Sequence, residues 1–344
     1  MQSAAERPEG YGRRSLPDGL KASYDTVWEA VRLGQASVDL PFVEENDLAK
    51  IMTYLRRDFP ELSGLASEYS YRSSPALNRT TVAFTYNDPG VRPFGDFSAV
   101  EEAAKVLLSN IPPSLSAFDK AVIVHDRLVS HISYDKDAPR ASLLAGALCD
   151  RRASCDGYAK AYQYLLQQLG IDALIVYGDA GGAHAWNIIK LDDGYYNADI
   201  TWDDAKLDDG TEFVSHEYLF LDDARFLKSH TPLSDGSNYP LPSCSSMAEN
   251  YFSKHDLMLS GTDKKAVEKA LSAAVELAAA NKSQAVQIGL SDTGVLTQLE
   301  NTLIGDGTLD RFVQKRAVRK GAEASGRTVS NSGLVLTYII KYKD

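Results

Sequence analysis

Between residues 155 and 202 the hydrophobic pattern changes from a helical period to three strand-like runs, and this change constrains the fold more than any other feature. One face of the first part carries residues at i, i+4, i+7 and i+11, and Gly170 follows as a helix stop. Those face residues are Tyr158, Tyr162, Leu165 and Leu169. Three strand-like runs follow, at 173–177, 184–191 and 195–202, and Asp192-Asp193-Gly194 signals a tight turn between the last two. We therefore expect an α+β core in which a helix packs on an antiparallel sheet.

The rest of the chain divides by composition and periodicity. Residues 21–34 and 45–58 have helical periods, and two aromatic, β-branched runs at 68–72 and 80–86 predict a hairpin. Residues 87–90 form a turn signal. The expected organisation is a disordered lead (1–20), N-terminal helices and hairpin (21–95), a helix-and-sheet core (96–230), a linker (231–250) and a small C-terminal α/β domain (251–344).

Composition excludes some classes of protein. The 344-residue chain has a formal net charge of −11, which disfavours nucleic acid as a partner because phosphate binding needs a basic surface. No apolar run is long enough to predict a transmembrane helix, and the first twenty residues contain no signal-peptide core. The three cysteines cannot all pair within the chain, so at least one thiol is expected to be free.

Cys155 stands where the predicted helix begins. Unpaired N–H groups and the helix dipole favour a thiolate at that position, and Arg151 and Arg152 would add to the effect. The alternative is a structural, inert cysteine. Cys149 and Cys244 have no such context, and Cys244 is expected to be an incidental thiol in the linker.

Two further residues complete a candidate triad. His184 begins a strand after a Gly-Gly pair, and Asp199 is expected on the next strand. Depending on the turn, Asp199 would lie opposite residue 186, 187 or 188, and only an even-numbered partner places it on the face of His184. In such a triad Cys155 attacks a carbonyl, His184 transfers the proton, and Asp199 orients His184.

Three ordered segments resemble the transglutaminase-like superfamily, in its bacterial branch: ASCDGYAKAYQYLLQQLGI, GGAHAWNIIKLDDGYYNADITWDD and HEYLFLDDARFLKSH. The resemblance covers residues 117–230 and implies a papain-like fold with Cys155, His184 and Asp199 as the triad. One departure is the Arg151-Arg-Ala-Ser segment before the cysteine, where the family often has a glycine. These arginines would narrow the cleft or select an acidic substrate. No calcium-binding loop is visible, so calcium dependence is not expected.

These features predict a cysteine-dependent enzyme that acts on peptide or protein amides through a thioester, by hydrolysis or by transglutamination. The alternative is a non-catalytic binding or structural protein of the cell envelope that keeps the fold. Trp186, Trp202 and Tyr158 are candidate substrate-binding residues, with packing as their alternative role. We expect no cofactor and no metal. The resemblance implies an extracytoplasmic location, with the cytoplasm as the alternative, and the sequence does not specify an oligomeric state.

Overall fold

The computed structural model describes residues 9–86, 97–233, 239–330 and 332–343, so the turn predicted at 87–90 lies outside the described residues. The chain forms two compact units. The first comprises Met1–Tyr195 and Asp223–Cys244, and the second comprises Tyr196–Asp222 and Ser245–Asp344. The predicted C-terminal α/β domain therefore falls in the second unit, which also takes residues 196–222 from the predicted core.

The N-terminal part of the first unit contains three helices and a three-stranded sheet in the order β1–β3–β2. The helices are α1 (Tyr11–Ser15), α2 (Asp18–Arg32) and α3 (Glu45–Asp58), and the strands are β1 (Ser37–Leu40), β2 (Leu65–Ser74) and β3 (Arg79–Tyr86). A short 3-10 helix, Pro60–Gly64, links α3 to β2. The helices predicted at 21–34 and 45–58 and the hairpin are confirmed. Strand β1 was not predicted, because four residues are too few to show a period.

The expected disordered lead differs from the structure from residue 9 onward. Residues 1–8 lie outside the described part, but α1 and α2 cover most of residues 11–20. The buried carboxylate of Asp58 accepts hydrogen bonds from the N–H groups of Gly12 (2.7 Å) and Arg13 (2.9 Å). A Cβ on Gly12 would lie 3.0 Å from the Asp58 carboxylate oxygens. A contact with a residue far along the chain orders this segment, and a local composition pattern does not reveal such a contact.

The rest of the first unit holds the predicted helix-on-sheet core. Its helices are α4 (Ser98–Leu108), α5 (Ala117–His131), α6 (Cys155–Gln168) and α7 (Asp223–Phe226). Its strands are the short parallel pair β4 (Ser133–Tyr134) and β5 (Arg152–Ala153), then β6 (Ala173–Asp179), β7 (Ala183–Lys190) and β12 (Thr231–Pro232). Strand β6 pairs antiparallel with both β7 and β12, and α6 packs on β6 and β7. The predicted α+β class is confirmed.

The second unit begins within β8 (Tyr195–Ala198), which pairs with β11 (Leu219–Leu221), and contains the hairpin of β9 (Asp204–Lys206) and β10 (Glu212–Val214). Its larger sheet has the order β13–β14–β16–β15, with β13 (Met258–Leu259), β14 (Ala285–Leu290), β15 (Ala322–Val329) and β16 (Val335–Tyr342). Its helices are α8 (Tyr251–Lys254), α9 (Lys264–Asn281), α10 (Thr293–Leu299) and α11 (Thr308–Arg319), with a π-helical turn at Glu300–Ile304. Across the residues that the structure describes, every helix is too short or too polar to cross a membrane.

Helix α11 ends at Arg319, because Gly321 adopts a left-handed φ of +75° and the chain then forms β15. One prediction for the C-terminal half needs correction. The predicted linker is packed where it is described: Tyr239 and Cys244 are buried. The Cys244 N–H donates to a carboxylate oxygen of Asp223 at 2.9 Å. Residues 234–238 lie outside the described part.

Candidate active site

Cys155 is the first residue of α6 and is half-buried, as the sequence pattern predicts. The loop at Ala141 holds this end of the helix: the carbonyl of Ala141 accepts from the N–H of Ser154 at 3.0 Å and from its hydroxyl at 3.3 Å. A Cβ on Gly157 would lie 2.3 Å from the same carbonyl oxygen, so only glycine allows the first turn to approach the loop this closely. The first-turn N–H groups of a helix have no intrahelical acceptors and stabilise an anion beside them.

Two tyrosines fix the same helix from its buried face. The hydroxyl of Tyr158 donates to the carbonyl of Ile132 at 3.1 Å, and the hydroxyl of Tyr162 donates to the carbonyl of Ala121 at 3.0 Å. Both rings are fully buried. The helical spacing predicted this shared face, and the hydroxyl partners explain why the residues are tyrosine and not phenylalanine.

His184 is the second residue of β7 and is half-exposed. Cys155 packs against a small buried cluster formed by Ala159 of α6, Ile175 of β6 and Ala185 of β7. Ala185 directly follows His184. The start of α6 therefore lies near the start of β7 within the first unit. The imidazole stacks on Trp186, with ring centroids 6.3 Å apart and an interplanar angle of 26°.

The residue after the cysteine carries a negative charge that neighbours compensate. Asp156 accepts from the hydroxyl of Tyr177 at 3.1 Å and from the ammonium of Lys160 at 2.7 Å. Burial, together with the Asp156 carboxylate, raises the pKa of Tyr177 well above its usual range, so the phenol stays a donor. These two donors offset the unfavourable effect of a carboxylate beside a developing thiolate.

The two arginines before the cysteine differ in their surroundings. Arg152 forms an ion pair with Asp135. Arg151 is exposed and adopts a left-handed φ of 58°. Their expected influence on Cys155 and on substrate choice stays a prediction.

Asp199 follows β8 and does not lie on a strand, which corrects the prediction of a strand over 195–202. Its carboxylate accepts from the N–H groups of Thr201 at 3.0 Å and Trp202 at 3.2 Å, and this turn ends the strand. Its own N–H donates to the carbonyl of Tyr218 at 3.1 Å. Only 1% of Asp199 is exposed, so the second unit holds this carboxylate in a fixed orientation.

The three candidate substrate-binding residues have different environments. Tyr158 and Trp186 are buried, at 0% and 1% exposure, which gives both a packing role in this structure. Trp202 is half-buried and packs edge-on against Tyr218, with ring centroids 4.9 Å apart. Binding of substrate by any of them stays a prediction.

Within the part of the chain that the structure describes, none of the three cysteines forms a disulfide. Burial raises the pKa of the Cys149 thiol. Cys244 is 1% exposed. These two thiols therefore serve as natural comparisons for Cys155, which is partly accessible at a helix start.

Comparison with known proteins finds similarity in the segment that contains the predicted helix and strand motifs. Residues 106–200 match the family described as the transglutaminase-like superfamily. Over 133 residues the chain is 28% identical to the Kyphoscoliosis peptidase of Mus musculus and of Homo sapiens, covering 32% of this chain and 20% of each relative. A solved structure described as that of a TGase shares 16% identity at a TM-score of 0.28, with 48% of this chain and 50% of that chain covered.

Residues 106–200 are therefore the part of the chain that is similar to the transglutaminase-like superfamily. This segment includes Cys155, His184 and Asp199. The chain spans about a fifth of the length of the curated relatives that it matches.

The sequence pattern missed three residues that shape this region. Asn187 joins β7 to α6, Gly178 lies opposite His184, and His230 has its ring close to the ring of His184. No local pattern marked His230, because it lies beyond the end of α7 at Phe226 and meets His184 only through packing.

Proposed function

We propose that this protein is a cysteine-dependent enzyme that cleaves or transfers amide acyl groups through a thioester. Cys155 is the nucleophile, His184 the general base and acid, and Asp199 the residue that orients His184. One observation carries the proposal: the half-exposed thiol at the start of α6 shares its neighbourhood with the start of β7, where half-exposed His184 lies.

The proposed reaction has two stages. His184 accepts the thiol proton, and the sulfur of Cys155 attacks the carbonyl carbon of the amide to give a tetrahedral oxyanion. The backbone N–H of Cys155 is a candidate donor to that oxyanion. The C–N bond then breaks, and the amine leaves with the proton that His184 returns. Attack on the thioester by water gives a carboxylic acid, and attack by an amine gives a new amide, with Cys155 regenerated in both cases.

Two observations support Asp199 as the residue that orients His184. Asp199 lies in the segment 106–200 that matches the family model, together with Cys155 and His184. It is 1% exposed, and its carboxylate accepts from the N–H groups of Thr201 and Trp202, which holds the carboxylate in one orientation.

Hydrolysis is the favoured outcome for the thioester. The curated relatives are named as peptidases, which supports a peptide or protein amide as substrate and water as acceptor. Transglutamination uses the same intermediate and differs only in the nucleophile that reaches it. We propose no metal or cofactor in either route.

The first test is the rate of iodoacetamide modification at each cysteine from about pH 4 to about pH 9, with peptide mapping. We expect Cys155 to react rapidly below neutral pH in the native protein and to lose that reactivity in His184→Ala. Cys149 and Cys244 are the internal controls and are expected to stay unreactive at low pH. A Cys155 that titrates like a free thiol near ~8.5 in both proteins would contradict the proposal and favour a binding or structural role.

The acceptor is tested separately, with casein as a general protein substrate and a dansylated amine. Release of peptides indicates a peptidase, release of ammonia indicates a deamidase, and incorporation of the dansyl group indicates transglutamination. Cys155→Ser is the matched control and is expected to abolish whichever activity is found.

A further inference from the structure

Two aromatic rings lie beside His184: Trp186 on β7, and His230, which follows α7 in the chain. His230 is 1% exposed, and its ring centroid lies 5.6 Å from that of His184 at an interplanar angle of 45°. It also lies 5.2 Å from the ring of Trp186, in an edge-on arrangement. His184 is thus flanked by Trp186, its neighbour on β7, and by His230, which comes from residues far along the chain.

The ring of His230 is itself held in place. It stacks on Phe226 with centroids 4.0 Å apart and an interplanar angle of 22°. Its Nδ1 atom lies 2.9 Å from the hydroxyl oxygen of Ser229, which fixes the rotation of the ring about its own axis. The buried ring therefore has a defined orientation, unlike a surface histidine.

A glycine in β6, Gly178, leaves room for the Trp186 ring and the start of β12 to lie close together. Gly178 lies opposite His184 on one side and opposite Pro232 of β12 on the other. A Cβ on Gly178 would lie 2.3 Å from the Trp186 ring and 2.4 Å from the carbonyl oxygen of Thr231. The missing side chain lets the indole and the start of β12 come together, and His230 directly precedes β12.

We propose that His230 is a positioning residue for His184, and this role rests on the proposed function above. Its ring, clamped between Phe226 and the rings of Trp186 and His184, restricts the rotation of the His184 imidazole. It thereby holds the imidazole in the orientation that accepts the proton of Cys155. A general base placed by packing loses little entropy when it acts, and a small misplacement lowers the rate strongly.

The role is tested in the full-length protein by the pH profile of Cys155 alkylation, together with thermal unfolding. His230→Leu removes the flat ring and is expected to lower the alkylation rate near pH 6 by roughly tenfold. A change of this size lies within the range of interaction energies between contacting residues. The rate at alkaline pH, where the thiol ionises without a base, is expected to stay unchanged. His230→Phe keeps a ring that can stack on Phe226 and is expected to retain the low-pH rate to within about threefold.

A double-mutant cycle separates positioning from a structural effect. In the His184→Ala background, His230→Leu is expected to cause no further change in the low-pH rate, because His230 acts through His184. A loss of equal size in that background, an unchanged rate in His230→Leu, or a failure of His230→Phe to retain the rate would overturn the role. Should His230→Leu not fold, Phe226→Leu, which removes the ring beneath His230, takes its place with the same expected loss.

The same series distinguishes failure of the proposed function. If His184→Ala alone leaves the Cys155 profile unchanged, the pairing of thiol and imidazole is wrong, and the positioning role is rejected with it. If His184→Ala removes the low-pH rate but His230→Leu does not, the proposed function stands and only the role of His230 is rejected.

Discussion

The side-chain amide of Asn187 donates a hydrogen bond to the backbone carbonyl of Ala159 at 3.0 Å, and this bond joins the middle of β7 to the first turns of α6. The same nitrogen donates to the carbonyl of Leu174 on β6 at 3.1 Å. Asn187 is fully buried. One side chain thus ties the helix that begins at Cys155 to the strand that carries His184, so the spacing of the two candidate catalytic residues depends on it.

Asn187→Ala is expected to lower the free energy of unfolding by about 1–3 kcal/mol, because two buried carbonyls lose a donor. Urea denaturation followed by circular dichroism measures the change. Asn46→Ala, on the exposed side of α3, is the matched control and should stay within about 0.5 kcal/mol of the native protein. Equal effects of the two substitutions would show that the amide bridge contributes nothing to stability.

Gly178→Ala is expected to lower the free energy of unfolding by about 1–3 kcal/mol, because the new methyl group overlaps Trp186 and the carbonyl of Thr231. The control is Gly19→Ala in α2, where no heavy atom lies within 4 Å of the added Cβ. That substitution should stabilise the protein by about 0.4–1 kcal/mol, since alanine restricts the unfolded chain. Opposite signs in thermal unfolding are the expected result, and a neutral Gly178→Ala would refute the steric argument.

Trp186→Ala is expected to cost about 3–5 kcal/mol, the usual range for removing a buried aromatic ring. Trp186→Phe should cost much less, because the indole nitrogen has no hydrogen-bond partner among the residues that the structure describes. Chemical denaturation of both variants measures the difference. Similar large losses in both would mean that the indole N–H makes a stabilising interaction.

Burial raises the pKa of Glu61 from 4.5 to about 7, so the folded protein holds a proton that the unfolded chain releases at lower pH. The resulting stabilisation is complete below about pH 4.5 and is lost as the pH rises through about 7, by up to about 3 kcal/mol. Glu61→Gln should remove this part of the pH dependence, measured by urea denaturation across that window. Glu68 is exposed, so Glu68→Gln is the control and should leave the pH dependence of the unfolding free energy unchanged. If Glu61→Gln gave the same pH dependence as the native protein, Glu61 would not be the group responsible.

Local patterns were sufficient for much of the first unit. The period of Tyr158 and Tyr162 identified α6 and its buried face, and Cys155 was correctly placed at its start. The strand-like run at 184–191 identified β7, which is buried from Ala185 to Ile189. The prediction of α6 succeeded because a helix that buries one face repeats its apolar residues with a fixed period, and that repeat is visible in the sequence itself.

Only the tertiary structure decided where these elements end and which distant residues they meet. Asp199 follows β8 because its carboxylate binds the N–H groups two and three residues ahead, a competition with the strand that apolar content does not reveal. The ordered segment at Gly12 depends on Asp58, and the ring beside His184 comes from His230. The sequence determined the candidate nucleophile, the candidate base and the elements that bear them, because those depend on residue type and period. The folded chain determined what surrounds them, because packing joins residues that no local pattern connects.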